Sequence, residues 1–151
     1  VERLLAENGQ LKKSIEKLEI AAAMSMIRQL ESKAETINGI RFISGIIDTD
    51  SADMLKSIAY QVRKSSDNTV LVIGASIGDK ASLFVMVSDK LVDSLKLNAI
   101  EIIREIAGEI KGGGGGQPFL ASAGGKNPMG LNSALSGAKA FLKRKTAGMQ
   151  V

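Results

Sequence analysis

Residues 111–125 read Lys-Gly-Gly-Gly-Gly-Gly-Gln-Pro-Phe-Leu-Ala-Ser-Ala-Gly-Gly. Ahead of them, Ala99, Ile102, Ile103, Ile106 and Ile110 recur at the spacing of one buried helix face. Behind the glycines, Phe119 to Ala123 reads as a short strand closed by Gly124-Gly125. The order helix, glycine run, strand excludes a dinucleotide fingerprint, which follows a strand and opens a helix. A Walker loop fails as well, because neither 112–117 nor 124–127 supplies Gly, four residues and Gly-Lys-Ser/Thr. A slack linker would carry no apolar anchor directly after it, yet Pro118-Phe119-Leu120-Ala121 is one. The stretch therefore reads as a packed loop, Gly112–Gly116, whose backbone N–H groups turn toward an anion.

Charge distribution points the same way. Residues 111–151 hold six basic side chains (Lys111, Lys126, Lys139, Lys143, Arg144, Lys145) and no Asp or Glu, and the chain's net charge is +4. An acid-free basic tail is the footprint of a surface that meets a polyanion. Lys and Arg dressing a helix C-terminus account for 143–145 but not for the missing acids.

Composition closes other routes. With no cysteine and no histidine, disulfides, thiolate metal sites, cysteine nucleophiles and the usual neutral-pH base are all absent. No catalytic or metal-binding residues are proposed. The aromatics are Phe42, Tyr60, Phe84, Phe119 and Phe141, too few for a platform that stacks successive bases, so backbone shape is the expected readout of a nucleic acid. No apolar run approaches the ~18 residues of a membrane span. The chain opens on Val with a charged helical pattern, as a piece of a longer protein would.

Working outward, the pattern predicts an α/β fold: a small mixed β-sheet packed with helices, preceded by a long N-terminal helical arm. Residues 1–36 read as one helix, with Leu4, Leu11, Ile15, Leu18 and Ala22 in heptad steps, Asn8 at an a-like position, and a phase shift near residue 20 to Ala23, Ile27, Leu30, Ala34 and Ile37. The stripe either packs on upstream sequence or pairs with a second copy. Residues 37–151 form the globular domain. Ile40–Ile47 is strand-like, and Asp48–Ser51 supplies turn chemistry. Met54, Leu55, Ile58, Ala59 and Val62 mark a helix. Val70–Ala75 and Ala81–Val87 pair through a turn at Ile77–Lys80. The hairpin makes the sheet mixed and rules out a doubly wound nucleotide fold. Leu131, Leu135, Ala138 and Leu142 line the closing helix, with Lys139 and Lys143 on a neighbouring face.

These residues carry a resemblance. Leu97-Asn98-Ala99-Ile100, a helix ending Ile110-Lys111, Gly112–Gly116, Gln117-Pro118 and Ala121-Ser122-Ala123-Gly124-Gly125 resemble the C-terminal domain of alanyl-tRNA synthetases, which is related to the domain after the catalytic half of DHH-type phosphoesterases. The likeness covers about residues 40–145, and residues 1–36 match the helical arm before it. This sequence departs from the family pattern at four places: Gln117 stands for Arg, Phe119 for Asp, Ser122 for Gln, and Gly113 for a Lys common in the glycine stretch. The phosphoesterases commonly carry a His there, and this chain has none.

The resemblance implies a non-catalytic, cytoplasmic fragment of an alanine–tRNA ligase that binds alanine-specific tRNA at its outer corner and links aminoacylation with editing. It implies no cofactor in the fragment, ATP, magnesium and zinc in the parent, the remainder of the synthetase as partner, and a homodimer through the arm. No membrane is implied. The residues expected at the tRNA are Gly112, Gly113, Gly114, Gly115, Gly116, Gln117, Gly124, Gly125, Lys126, Lys139, Lys143 and Arg144. Two alternatives stand beside this: a dimerisation module of the same enzyme, and the substrate-binding half of a DHH-type phosphoesterase.

Overall fold

Val70–Ala75, the longest apolar run, becomes the middle of the sheet, with Val70, Leu71, Val72 and Ile73 fully buried. The computed structural model of the chain describes residues 21, 22, 24–47, 52–65 and 67–147. The heptad positions from Leu4 to Leu18 and the turn residues Asp48–Ser51 lie outside them. Strands β1 (Glu35–Ile37), β2 (Ile40–Ile46), β3 (Thr69–Ile77), β4 (Lys80–Val87), β5 (Gly112–Gln117) and β6 (Leu120–Gly125) join in the order β1-β2-β3-β4-β6-β5. The β2–β3 pair is parallel and the other pairs are antiparallel, so the sheet is mixed, as the hairpin predicts.

Helix α1 ends at residue 31 and is described over 21, 22 and 24–31. It is followed by α2 (Ala52–Ser65), α3 (Asp89–Leu95), α4 (Ala99–Ile106) and α5 (Leu131–Thr146), with 3-10 turns at Ala107–Ile110 and Pro128–Gly130. The long crossover that a parallel pair requires is supplied by α2, between β2 and β3. Two layers of helix flank the sheet. On one face α3, α4 and α5 bury Leu91, Ile102, Ile103, Ile106, Ala138 and Leu142 against Val72, Leu83 and Val85. On the other, α1 and α2 bury Ile27, Leu30, Leu55, Ile58 and Val62 against Ile43, Leu71, Ile73 and Met86. Each Val, Leu, Ile or Met among them contributes about 1.5–3 kcal/mol on burial.

Two local readings are corrected by the structure. The helix predicted over 1–36 stops at residue 31, and Glu35–Ile37 is an edge strand instead. Asn38-Gly39 forces this: both residues take positive φ (52° and 86°) and make the two-residue turn from β1 to β2. The glycine loop of 112–116 is also a strand, paired from Gly112↔Gly125 to Gln117↔Leu120. Lys111, left-handed at φ 53°, ends the preceding 3-10 turn. Directly after it the chain enters the ladder, and just beyond the ladder's end Asn127 N–H donates to the Ile110 carbonyl at 3.0 Å.

Candidate nucleic-acid interface

Alternation along β5 gives its five glycines two different surroundings. A Cβ built on Gly112, Gly114 or Gly116 would lie 2.5, 2.6 and 2.7 Å from the Cα atoms of Gly125, Ala123 and Ala121 in β6. Real Cβ atoms essentially never approach that closely, so these three positions exist only as glycine. A Cβ on Gly113 or Gly115 would meet nothing within 4 Å.

The register shows what that open side is. Ser82, Gly124 and Gly113 form one row across β4, β6 and β5, and Phe84, Ser122 and Gly115 form the next. These rows share the α1/α2 face of the sheet, because Phe84 and Leu120 pack with that core. Helix α2 lies over β3 and β4 and α1 over β2, where Leu30 fills the space beside Gly45. Over β6 and β5 no helix is placed among the described residues. What remains there is a shelf with two half-buried serines (Ser82, Ser122) and three glycines (Gly113, Gly115, Gly124). On the opposite face, α4 covers β4, β6 and β5.

One end of the shelf is basic. Extending both ladders by one residue sets Lys126 beside Lys80 of β4 on one side and Lys111 on the other. Neighbouring strands lie about 4.8 Å apart, so three lysines cross the end of the sheet in a row. All three are exposed, and none makes an ion pair with a described residue. Asp79, in the β3–β4 turn, and Glu109 are the neighbouring acids in sequence.

The cations of α5 are placed differently. Lys139 Nζ sits 2.6 Å from Glu35 of β1, Arg144 3.2 Å from Glu105 of α4, and Lys145 3.4 Å from Glu101 of α4. The acids missing from residues 111–151 are thus brought in from elsewhere in the fold. Lys143 stays exposed, close to the β1–β2 turn, where Asn38 Nδ2 donates to Thr146 Oγ1 at 2.9 Å. Of the residues expected at one site, Gly112–Gln117, Gly124, Gly125 and Lys126 come together. Lys139, Lys143 and Arg144 lie on the helix that covers the other face, over β2 and β3. Lys80 was missed by sequence reasoning, although the turn at Ile77–Lys80 fixes its register opposite Ile77.

The inner border of the shelf is α2. Lys56, Tyr60 and Arg63 fall on one stripe, four and three residues apart. The Arg63 guanidinium lies 3.7 Å from the centre of the Phe119 ring, in the β5–β6 turn, and its Nε donates to Asp89 at 3.1 Å. Lys56 Nζ lies 5.9 Å from the centre of the Tyr60 ring. Among the described residues no group of three or more Asp or Glu side chains could hold a metal ion, and no helix is long and apolar enough to cross a membrane.

Comparison with known proteins adds three findings. The family model described as the DHHA1 domain matches residues 39–144. Alanine–tRNA ligase of Christiangramia forsetii is 42% identical over 143 residues, which cover 95% of this chain and 16% of that protein. The Bacteroides fragilis ligase is 38% identical over 136 residues, 89% of this chain and 15% of that one. The chain therefore spans about a sixth of the length of the curated relatives it matches. Among solved structures, the C-Ala domain of Aquifex aeolicus alanyl-tRNA synthetase superimposes with a TM-score of 0.64 at 30% identity, covering 74% of this chain and 96% of that one. A DHH domain described as a member of the s1p family of ribosomal proteins has a TM-score of 0.57 at 14% identity, over 89% of this chain and 32% of that one, a likeness of fold alone.

Proposed function

The chain belongs to the DHHA1 domain family, matched in sequence and fold by the C-Ala domain of an alanyl-tRNA synthetase, and from that premise we propose that it binds alanine-specific tRNA without catalysing a reaction of its own. The observation that carries this reading is the shelf: a strand of glycines with one side free of side chains, ended by three exposed lysines that make no ion pair with a described residue. Backbone can approach backbone closely there, and the lysine row meets phosphates. In this reading the partner region is the outer corner of the tRNA. The domain then links the aminoacylation and editing parts of a cytoplasmic parent ligase, whose ATP, magnesium and zinc belong to those other parts.

The test is a titration of alanine-specific tRNA against the chain at several salt concentrations, with an unrelated tRNA as control. Saturable binding whose logarithmic affinity falls linearly with the logarithm of salt is the expected result. Substituting Lys80, Lys111 and Lys126 together with Ala flattens the slope by about 2–3 units, at roughly 0.7–0.9 per lost phosphate contact. No binding at low salt overturns the proposal.

A dimerisation module is the second reading, favoured by one surface. Met24 and Ile46 are 41% and 46% exposed beside a groove of about 290 Å³ lined by Met26, Gln29, Leu30 and residues 44–47. A mass that depends on concentration, lost on removing residues 1–36, together with no affinity for tRNA, is what that reading requires.

A further inference from the structure

The lysine row ends the shelf, but its long inner border is α2, which the tRNA reading does not use. We propose that the α2 stripe is the second half of the RNA surface, with the Tyr60 ring stacking an unpaired nucleobase and Lys56 meeting the adjoining phosphate. The inference rests on the tRNA reading above and adds to it a base contact.

The geometry assigns each part. Leu55, Ile58, Ala59 and Val62 point α2 into the core over β3 and β4. Lys56, Tyr60 and Arg63 are consequently turned toward the side on which Arg63 reaches Phe119, and that is the side of β6 and β5. Arg63 is committed there, held between the Phe119 ring and both carboxylate oxygens of Asp89 (3.1 and 3.3 Å). It links α2 to the β5–β6 turn through Phe119 and to α3 through Asp89. Tyr60 is half-buried, so its ring is set in place, and its hydroxyl has no hydrogen-bond partner among the described residues. The ammonium of Lys56 lies over that ring. Such a cation–π contact at an exposed site is weak, and a base is a better partner for the ring face. Displaced, Lys56 is left beside the phosphate of the same nucleotide. The floor opposite presents the hydroxyls of Ser82 and Ser122 and the backbone of Gly124, while Phe84, in the row of Ser122, packs into the α1/α2 core. Hydroxyls and open backbone beside a basic end fit a polar, anionic ligand.

The chain holds one Tyr and no Trp, so its ultraviolet emission reports Tyr60 alone. Titrating an alanine-specific tRNA transcript, with correction for RNA absorbance, should quench that emission with the midpoint found by an independent binding assay. Tyr60→Ala should weaken binding about tenfold at unchanged salt slope, and Tyr60→Phe should stay within about twofold of the parent chain. Lys56→Ala should lower the slope by about one. Binding with unaltered Tyr60 emission, or a Tyr60→Ala chain that melts normally and binds as before, overturns the stacking contact while the tRNA reading stands. Failure of the unaltered chain to bind the transcript at all overturns both.

Discussion

At Gly114 a methyl group would run into the backbone of Ala123, and at Gly115 it would enter open space. Gly114→Ala is therefore expected to cost about 3 kcal/mol or more, since the obstacle is a paired strand that cannot yield. Gly115→Ala is expected to leave stability within about 1 kcal/mol, in the stabilising direction if anything. A pair of thermal melts separates the two. The related Gly113→Lys adds a cation on the open side of β5. Its side chain has room, so the melt should hardly move, while tRNA binding tightens and its salt slope steepens by about one. A chain that unfolds on Gly113→Lys would show that the open side is not open. None of this was legible in residues 112–116, for a physical reason: period-two alternation is written in side chains, and these residues have none. The strand is defined by what β6 excludes, which no pattern within β5 records.

Elements with side chains on them were easier to read. Helix α4, the β3–β4 hairpin and the core stripe of α5 follow from periodicity, and all three occur where their apolar spacing puts them. Strand β1 escaped because Ala34 and Ile37 continue the helical phase of the arm, and the Asn38-Gly39 turn outweighs three residues of periodicity. The charges of α5 could not be weighed from the sequence for a different reason. Their partners Glu35, Glu101 and Glu105 lie 39 to 104 positions away in the chain, so an acid-free segment in sequence is not an acid-free surface. Those pairs are exposed and each is worth at most about 1 kcal/mol. Lys139→Ala should accordingly lower stability by less than that, measured by denaturant unfolding. Its effect on the tRNA salt slope should be smaller than that of Lys126→Ala, because Lys139 already spends its charge on Glu35. An equal loss from both would place α5 at the RNA after all.

Among the described residues, the sheet is covered by helices on one face across its width and on the other only in part. The core does not suffer from the gap, because the exposed positions beneath it are glycine and serine, and Phe84 and Leu120 pack sideways into the α1/α2 core. Folding and binding are thereby housed in separate sets of positions. Substitutions at 82, 113, 115, 122 or 124 fall on a surface whose loss the core would not register, so mutation can explore them while the fold is kept. The uncovered part of the sheet is, in that sense, where the sequence is free to vary while the frame is kept.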